Sequence, residues 1–255
     1  MTAALVPETV LVLAGGAGRA ATLEPLRERA EAALRDVVSA APARVVMVLL
    51  GPRRVLHLPT TDPAAVGAPR VTLGALGVPD DVLDRETGAE RGAGAPDAPV
   101  VHEPGAAVAL TLLGVTGYRG PVEMHVLAAE DQAQALALGE ALERAGDRVA
   151  VVMVGSLSAR RGPSAPLPED PRAEAFADRA TAALVALTAS DREWLRDSLD
   201  EAGELAASAA LPWVVLSGAV EAGARMDVHR DSQVDAPFGA DLLVLSWGRT
   251  AQEQA

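Results

Sequence analysis

An apolar run, Val149, Val151, Val152 and Val154, leads straight into Gly155–Ser156–Leu157–Ser158–Ala159–Arg160–Arg161–Gly162. Small and polar residues directly after a buried strand mark where α/β proteins place their chemistry, because the strand end is rigid and the turn leaves room for a ligand. Ser156, Ser158, Ala159 and Arg160 are therefore candidate cleft residues. Neither serine sits in a G-x-S-x-G elbow, and no histidine is placed in sequence order to activate one. Capping the turn with a side-chain hydrogen bond is the plainer role for both hydroxyls. Arg160 and Arg161 carry paired N–H donors. Facing a cleft they bind a carboxylate or phosphate; facing water they are a solvated pair.

The four histidines offer a second chemistry, since neutral imidazole ligates divalent ions. His229 alternates with Asp227 and Asp231, and His125 with Glu123, so in a strand each grouping shares a face. Each also reads as the wet side of an edge strand or a surface pair. His102 adjoins Glu103, just before Pro104 and a helix. His57, within Val55–Leu56–His57–Leu58–Pro59, reads as a half-buried histidine or as a ligand. A third chemistry lies near the start. Val10–Leu13 followed by Gly16–Ala17–Gly18–Arg19–Ala20–Ala21 fits strand, G-x-G-x-x-A, helix. In that reading Gly15, Gly16 and Gly18 let backbone N–H groups cradle a pyrophosphate. The acidic ribose-binding partner is missing, because the second strand ends Leu49–Leu50–Gly51–Pro52. The same glycines also suit a simple tight turn.

Composition narrows the field. The chain has 255 residues, 35 acidic against 22 basic, for a net charge of −13. Such a surface repels nucleic acid and anionic membranes. All the basic residues are arginine, which removes Schiff-base chemistry and a P-loop lysine. The absence of cysteine removes disulfides, thiolate zinc sites and cysteine nucleophiles. The N-terminal residues lack a basic region and no apolar run reaches the length of a membrane span, so a cytoplasmic protein is expected. Only Phe176, Phe238, Tyr118, Trp194, Trp213 and Trp247 are aromatic, so Ala, Val and Leu must fill the core. Trp213 and Trp247 are candidates for an oligomer surface.

The elements that must position these residues follow from apolar patterning. Strands are expected at Val10–Leu13, Arg44–Leu50, Pro121–Leu127, Val149–Val154, Met226–His229 and Leu242–Trp247, with a short one near Arg70–Leu73. Helices are expected over Thr22–Val38, Ala106–Val115, Asp131–Ala145 and Glu169–Leu187. Further helical segments follow: one capped by Ser190–Asp191 with Glu193 in capping-box spacing, then Leu199–Ala207 and Pro212–Gly218. Arg53–Pro99 is rich in Gly, Pro and Asp and reads as long loops, with 84–97 partly disordered. Strand–helix alternation with buried strands predicts one α/β domain over 1–250, its largely parallel or mixed sheet flanked by helices, and a tail at 251–255.

Several segments together resemble the class III extradiol ring-cleavage dioxygenases, the family of the protocatechuate 4,5-dioxygenase β-subunit. They are the Gly155–Ser156 turn, Glu169–Asp170–Pro171–Arg172–Ala173–Glu174, Leu211–Pro212–Trp213, Leu216–Ser217–Gly218–Ala219 and Asp235–Ala236–Pro237–Phe238–Gly239. The resemblance implies a β-subunit-like fold in a small single-domain branch. It implies Fe(II) held by two histidines, from the loops after the first and second strands, and by a glutamate. It also implies a proton-handling histidine where this chain has Ala159. Neither Ala14–Gly18 nor Gly51–Pro52–Arg53–Arg54 contains a histidine, and Glu204 is the match to the glutamate. The expectation is a homologue that has lost the iron site and needs no cofactor. It would bind a small acidic metabolite or a protein partner, with a homo-oligomer as one arrangement. The alternatives are an active Fe(II) dioxygenase with ligands moved to His57, His102, His125 or His229 beside Glu204, and a nucleotide-binding enzyme using Gly15–Gly18.

Overall fold

Alternate residues of the Thr2–Val6 strand point to opposite faces of one sheet. Ala4 and Val6 join one buried cluster, while Ala3 and Leu5 join another. This is the organising fact of the computed structural model, which describes residues 1–13, 23–62, 65, 68–80, 83, 98–145, 148–229 and 233–249. The strands are β1 (Thr2–Val6), β2 (Arg44–Leu50), β3 (Arg54–Leu58), β4 (Arg70–Val71), β5 (Val100–Val101) and β6 (Val122–Leu127). They continue with β7 (Val149–Val154), β8 (Met226–Val228), β9 (Val234–Asp235), β10 (Leu242–Leu243) and β11 (Leu245–Arg249). The helices are α1 (Glu24–Ser39), α2 (Pro104–Val115), α3 (Gln132–Arg144), α4 (Ala173–Ala186), α5 (Ala189–Asp197), α6 (Leu199–Glu204) and α7 (Ala210–Glu221).

The central sheet has seven strands in the order β3-β6-β2-β7-β1-β11-β8. The inner four, β6, β2, β7 and β1, are parallel. The outer strands β3, β11 and β8 pair antiparallel. Helices α1 and α2 cover one face, and α3 to α7 cover the other. The fold class is thus α/β with a mixed sheet between helical layers, as the patterning predicted.

Helices α2 and α7 are apolar all round and buried along almost their whole length, as core helices should be. No helix among the described residues is long and apolar enough to cross a membrane. Trp213 and Trp247 are each 1% exposed, so neither is an oligomer surface. Their indole N–H groups donate to the buried carbonyls of Leu195 and Leu184, at 2.9 and 3.1 Å. Trp213→Phe should cost about 1–3 kcal/mol, because the Leu195 carbonyl is left unpartnered in the core. Urea denaturation with an unchanged slope is the check.

Three other expectations need correction. Val10–Leu13 is not a strand. Val10–Val12 is a 3-10 turn in which the Thr9 hydroxyl accepts the Leu11 N–H at 3.3 Å, and the first strand lies earlier, at Thr2–Val6. An apolar run of four does not by itself separate strand from turn. The 53–99 region contributes β3 to the sheet edge, hidden because its outward positions, Val55 and His57, remain exposed. The cap of α5 is Thr188, not Ser190. Its hydroxyl accepts the Asp191 N–H at 3.3 Å, and Asp191 in turn accepts the Thr188 N–H at 3.2 Å. The expected disorder at 84–97 and the tail at 251–255 lie outside the described residues.

Candidate functional site

In open α/β sheets, ligands sit at the carboxyl ends of parallel strands where neighbouring strands send their chains to opposite faces. Here β1 continues toward α1 on one face, and its neighbour β7 toward α4 on the other. The residues just beyond these two strands are Pro7–Glu8 and Gly155–Ser156. They meet a third segment, Ser208, two residues before α7. The Ser208 hydroxyl donates to Glu8 Oε1 at 2.5 Å, and the Ser156 hydroxyl donates to the same oxygen at 3.1 Å. The Ser156 N–H donates to Ser208 Oγ at 2.8 Å. One carboxylate oxygen is therefore held by two hydroxyls from elements 148 and 200 residues away.

The glycine of the Gly155–Ser156 turn is required by this approach. A Cβ at Gly155 would lie 2.5 Å from the Ala209 nitrogen and 2.7 Å from its Cα. Without that contact, the Ala209 N–H could not donate to the Ser156 carbonyl at 3.0 Å. Gly105, in the first turn of α2, packs against the other side. A Cβ there would sit 3.0 Å from Glu8 Cβ and 3.1 Å from Val154 Cγ1. The start of α2 thus lies against Glu8, and the positive end of a helix dipole favours a charged carboxylate.

The neighbouring strand ends carry charges that are already paired. Beyond β2, Arg53 forks onto Asp131, the residue just before α3, with Nε at 2.7 Å from Oδ2. Asp131 also accepts the Ala128 N–H at 2.8 Å. The Arg53 guanidinium, aided by the Ala128 amide, holds the Asp131 carboxyl below the usual carboxylate range. A depressed native pKa gives stability that is present above the unfolded value, about 4, and is lost as pH falls through the native value. Asp131→Asn should therefore lower the Tm at pH 7, with the gap to the parent closing as both are acidified below pH 4. Thermal melts across pH check this; a gap that widens on acidification contradicts it.

The two turn arginines are also engaged. Arg160 donates to the Pro168 carbonyl at 2.9 Å. Arg161 donates to Asp241 at 2.8 Å and to Glu174. Asp241 is fully buried, and burial pushes its carboxyl up while Arg161 opposes the shift. Its backbone bridges Ser158, anchoring the turn to the Pro237–Gly239 segment. Arg54, at the start of β3, pairs with Glu103. An anion arriving at this end of the sheet would have to displace an internal carboxylate from each of Arg53, Arg54 and Arg161.

Of the cleft residues expected from sequence, Ser156 joins the Glu8 cluster. Ser158 is buried, and its hydroxyl accepts the Arg160 N–H at 3.0 Å, a turn cap. Ala159 contributes backbone alone, donating to Leu205 and accepting from Leu167. His57, exposed on edge strand β3, stands opposite Glu123 of β6, and His125 bonds that same Glu123 at 2.7 Å. His102 precedes α2, and His229 follows β8 beside Gly248. Glu204 is exposed and pairs with Arg172 at 2.8 Å. Among the described residues no three His, Asp or Glu side chains come together as a metal site requires. Gly15, Gly16 and Gly18 lie outside the described residues, and Asp231 does too. The strand that a dinucleotide fingerprint needs ahead of those glycines is a 3-10 turn instead.

Glu8 and Ser208 were not legible as site residues, because the sheet begins earlier than the apolar run suggested. A Pro at the end of an Ala-Ala-Leu-Val strand was the available signal.

No protein-family model and no curated protein matches this chain. Among solved structures it is similar to an uncharacterized protein, JW3007, from Escherichia coli K12. The two share 18% identity over 97% of this chain and 100% of the other, with a TM-score of 0.54. At that identity the likeness establishes the α/β fold.

Proposed function

We propose that this chain is a homologue of the class III extradiol dioxygenases that has given up its iron site, and that it uses the crevice at the carboxyl ends of β1 and β7 to bind a small molecule. The observation that carries this reading is the residue set at the end of the first strand. Where the resemblance calls for an imidazole ligand, the chain has Pro7–Glu8, and Glu8 is bonded by two serine hydroxyls. The residues present do not fit Fe(II). The second strand leads to Arg53, already paired with Asp131, and Glu204 lies in an exposed ion pair. A single carboxylate does not hold a divalent ion against water, because imidazole supplies most of the binding in such a facial site. A cytoplasmic setting belongs to the same proposal.

The test is metal content. Protein incubated anaerobically with excess Fe(II) and then desalted should retain less than about 0.1 equivalent, and catechols should provoke no oxygen uptake. One retained equivalent with catechol-dependent oxygen consumption would overturn the reading.

A further inference from the structure

Asp241, directly before β10, is a carboxylate with no exposed surface. Its Oδ1 accepts from Arg161 Nη1 at 2.8 Å, while its Oδ2 is buried without a hydrogen-bond donor. Arg161 is shared. Its other terminal nitrogen donates to Glu174 of α4, whose side chain is 66% exposed. The guanidinium thus stands between a buried carboxylate and a wet one. With Asp178 and Thr181 of α4 it also lines an open cavity of about 510 Å³. The same residue ties the turn after β7 to the hairpin of β9 and β10. The Arg161 N–H donates to the Gly239 carbonyl at 2.9 Å, and Asp241 pairs backbone to backbone with Ser158.

The charge around Asp241 is unbalanced. Among the described residues the groups facing it are Arg161, from the turn, and Glu174 and Asp178, from α4. Asp235 of its own hairpin is neutralised by Arg29 of α1. One cation therefore serves three carboxylates, and the deepest of them has an oxygen with no donor. Burial pushes the Asp241 carboxyl up from its ordinary value; Arg161 opposes this, and Asp178 and Glu174 add to the rise. Oδ2 is the oxygen free to take a proton.

We propose that Asp241 and Arg161 form a proton-operated latch between the β7 turn and the 234–243 hairpin. With Asp241 ionised, the guanidinium is drawn inward and holds the two segments together. A proton on Oδ2 removes that pull, and Arg161 turns outward to Glu174 and Asp178 beside the cavity. The backbone pairing of Ser158 with Asp241 remains, so the fold persists while the side-chain tie opens. The latch does not depend on the ligand reading above.

The experiment titrates the full chain by NMR from pH 8 to about pH 4.5, with 13C at aspartate carboxyls and 15N at arginine. Asp241→Asn, near-isosteric, stands in for the protonated form. The Asp241 carboxyl should show a step above the ordinary carboxylate value of about 4, and the Arg161 Nε–H signal should move through the same step. In Asp241→Asn that signal should already sit at the parent's acid position at pH 8 and stay there. A native value above the unfolded one gives stability that is full below about pH 4 and is lost as pH rises through the native value. The Tm of Asp241→Asn should therefore gain on the parent's as pH rises. An Asp241 carboxyl ionised throughout, an Arg161 signal that ignores its step, or a Tm gap that narrows with rising pH would each overturn the latch. Should the variant fail to fold, the two titrations of the parent decide alone, with Asp241 assigned by through-bond correlation.

Discussion

Gly155→Ala should destabilise the protein by about 3 kcal/mol or more and break the Glu8 cluster. The added methyl has no soft neighbour to displace. It would meet the backbone of Ser208 and Ala209, at 2.7 and 2.5 Å. To relieve the clash, the segment leading into α7 must move away from β7. The hydrogen bonds from Ser156 N–H to Ser208 and from Ala209 N–H to Ser156 then fail together. Overpacking against backbone lies at the upper end of the usual range for added methylenes, and the lost buried hydrogen bonds add to it. Gly203→Ala is the internal control. It lies in α6, and a Cβ there meets nothing within 4 Å. Helix propensity alone then applies, and the alanine should be neutral to stabilising by about 1 kcal/mol. Urea denaturation of the two variants reads both signs. Equal stability of Gly155→Ala and the parent would mean that the turn is not packed as described.

Gly139→Val should have a comparable or larger effect, with a Tm lower by roughly 6–12 °C for a loss of about 3 kcal/mol. Helices α3 and α7 touch backbone to backbone. A Cβ at Gly139 would land on the Val215 carbonyl oxygen and 2.7 Å from the Ala219 nitrogen. From the other side, a Cβ at Gly218 would run into the Leu136 carbonyl. In an exposed helix, replacing glycine would gain stability from reduced unfolded-state entropy; here the sign reverses because the space is occupied. The same helix pair closes the face of the sheet opposite α1 and α2, so α7 would be displaced along with the Ser208 segment at its start. Calorimetry settles the magnitude, and an unshifted Tm would refute the close crossing.

These two glycines show what the sequence could and could not disclose. Buried strands such as Val45–Leu49 and Val149–Val154 announce themselves by unbroken apolar runs, and the helices by their spacing, so the α/β class was legible. The first strand was not. Thr2–Val6 contains two alanines and is central only because β7 and β11 flank it. With Val10–Leu13 as the expected first strand, the loop beyond it falls at Ala14–Gly18, whereas the observed strand ends just before Pro7–Glu8. Strand β3 escaped for a related reason. It lies at the sheet edge, with Val55 50% exposed, and an edge strand lacks the pattern of a buried one. Ser156 was visible because it follows a strong strand directly. Ser208 was not, since only the fold brings it from 52 residues away to the same oxygen. The arginine pair looked free in sequence because Asp241 and Glu174, its partners, are remote along the chain.

At the carboxyl end of β1 the Glu8 carboxylate is held by two serines, where the proposed family relationship calls for an iron-binding imidazole. Crystals grown anaerobically with Fe(II), with data collected on both sides of the iron absorption edge, test it most directly. The expected result is an anomalous difference map without a peak beside Glu8, with Ser156 and Ser208 both within hydrogen-bond reach of Oε1. A full-occupancy iron peak at the ends of β1 and β2, bracketed by two histidine rings and a glutamate, would contradict it.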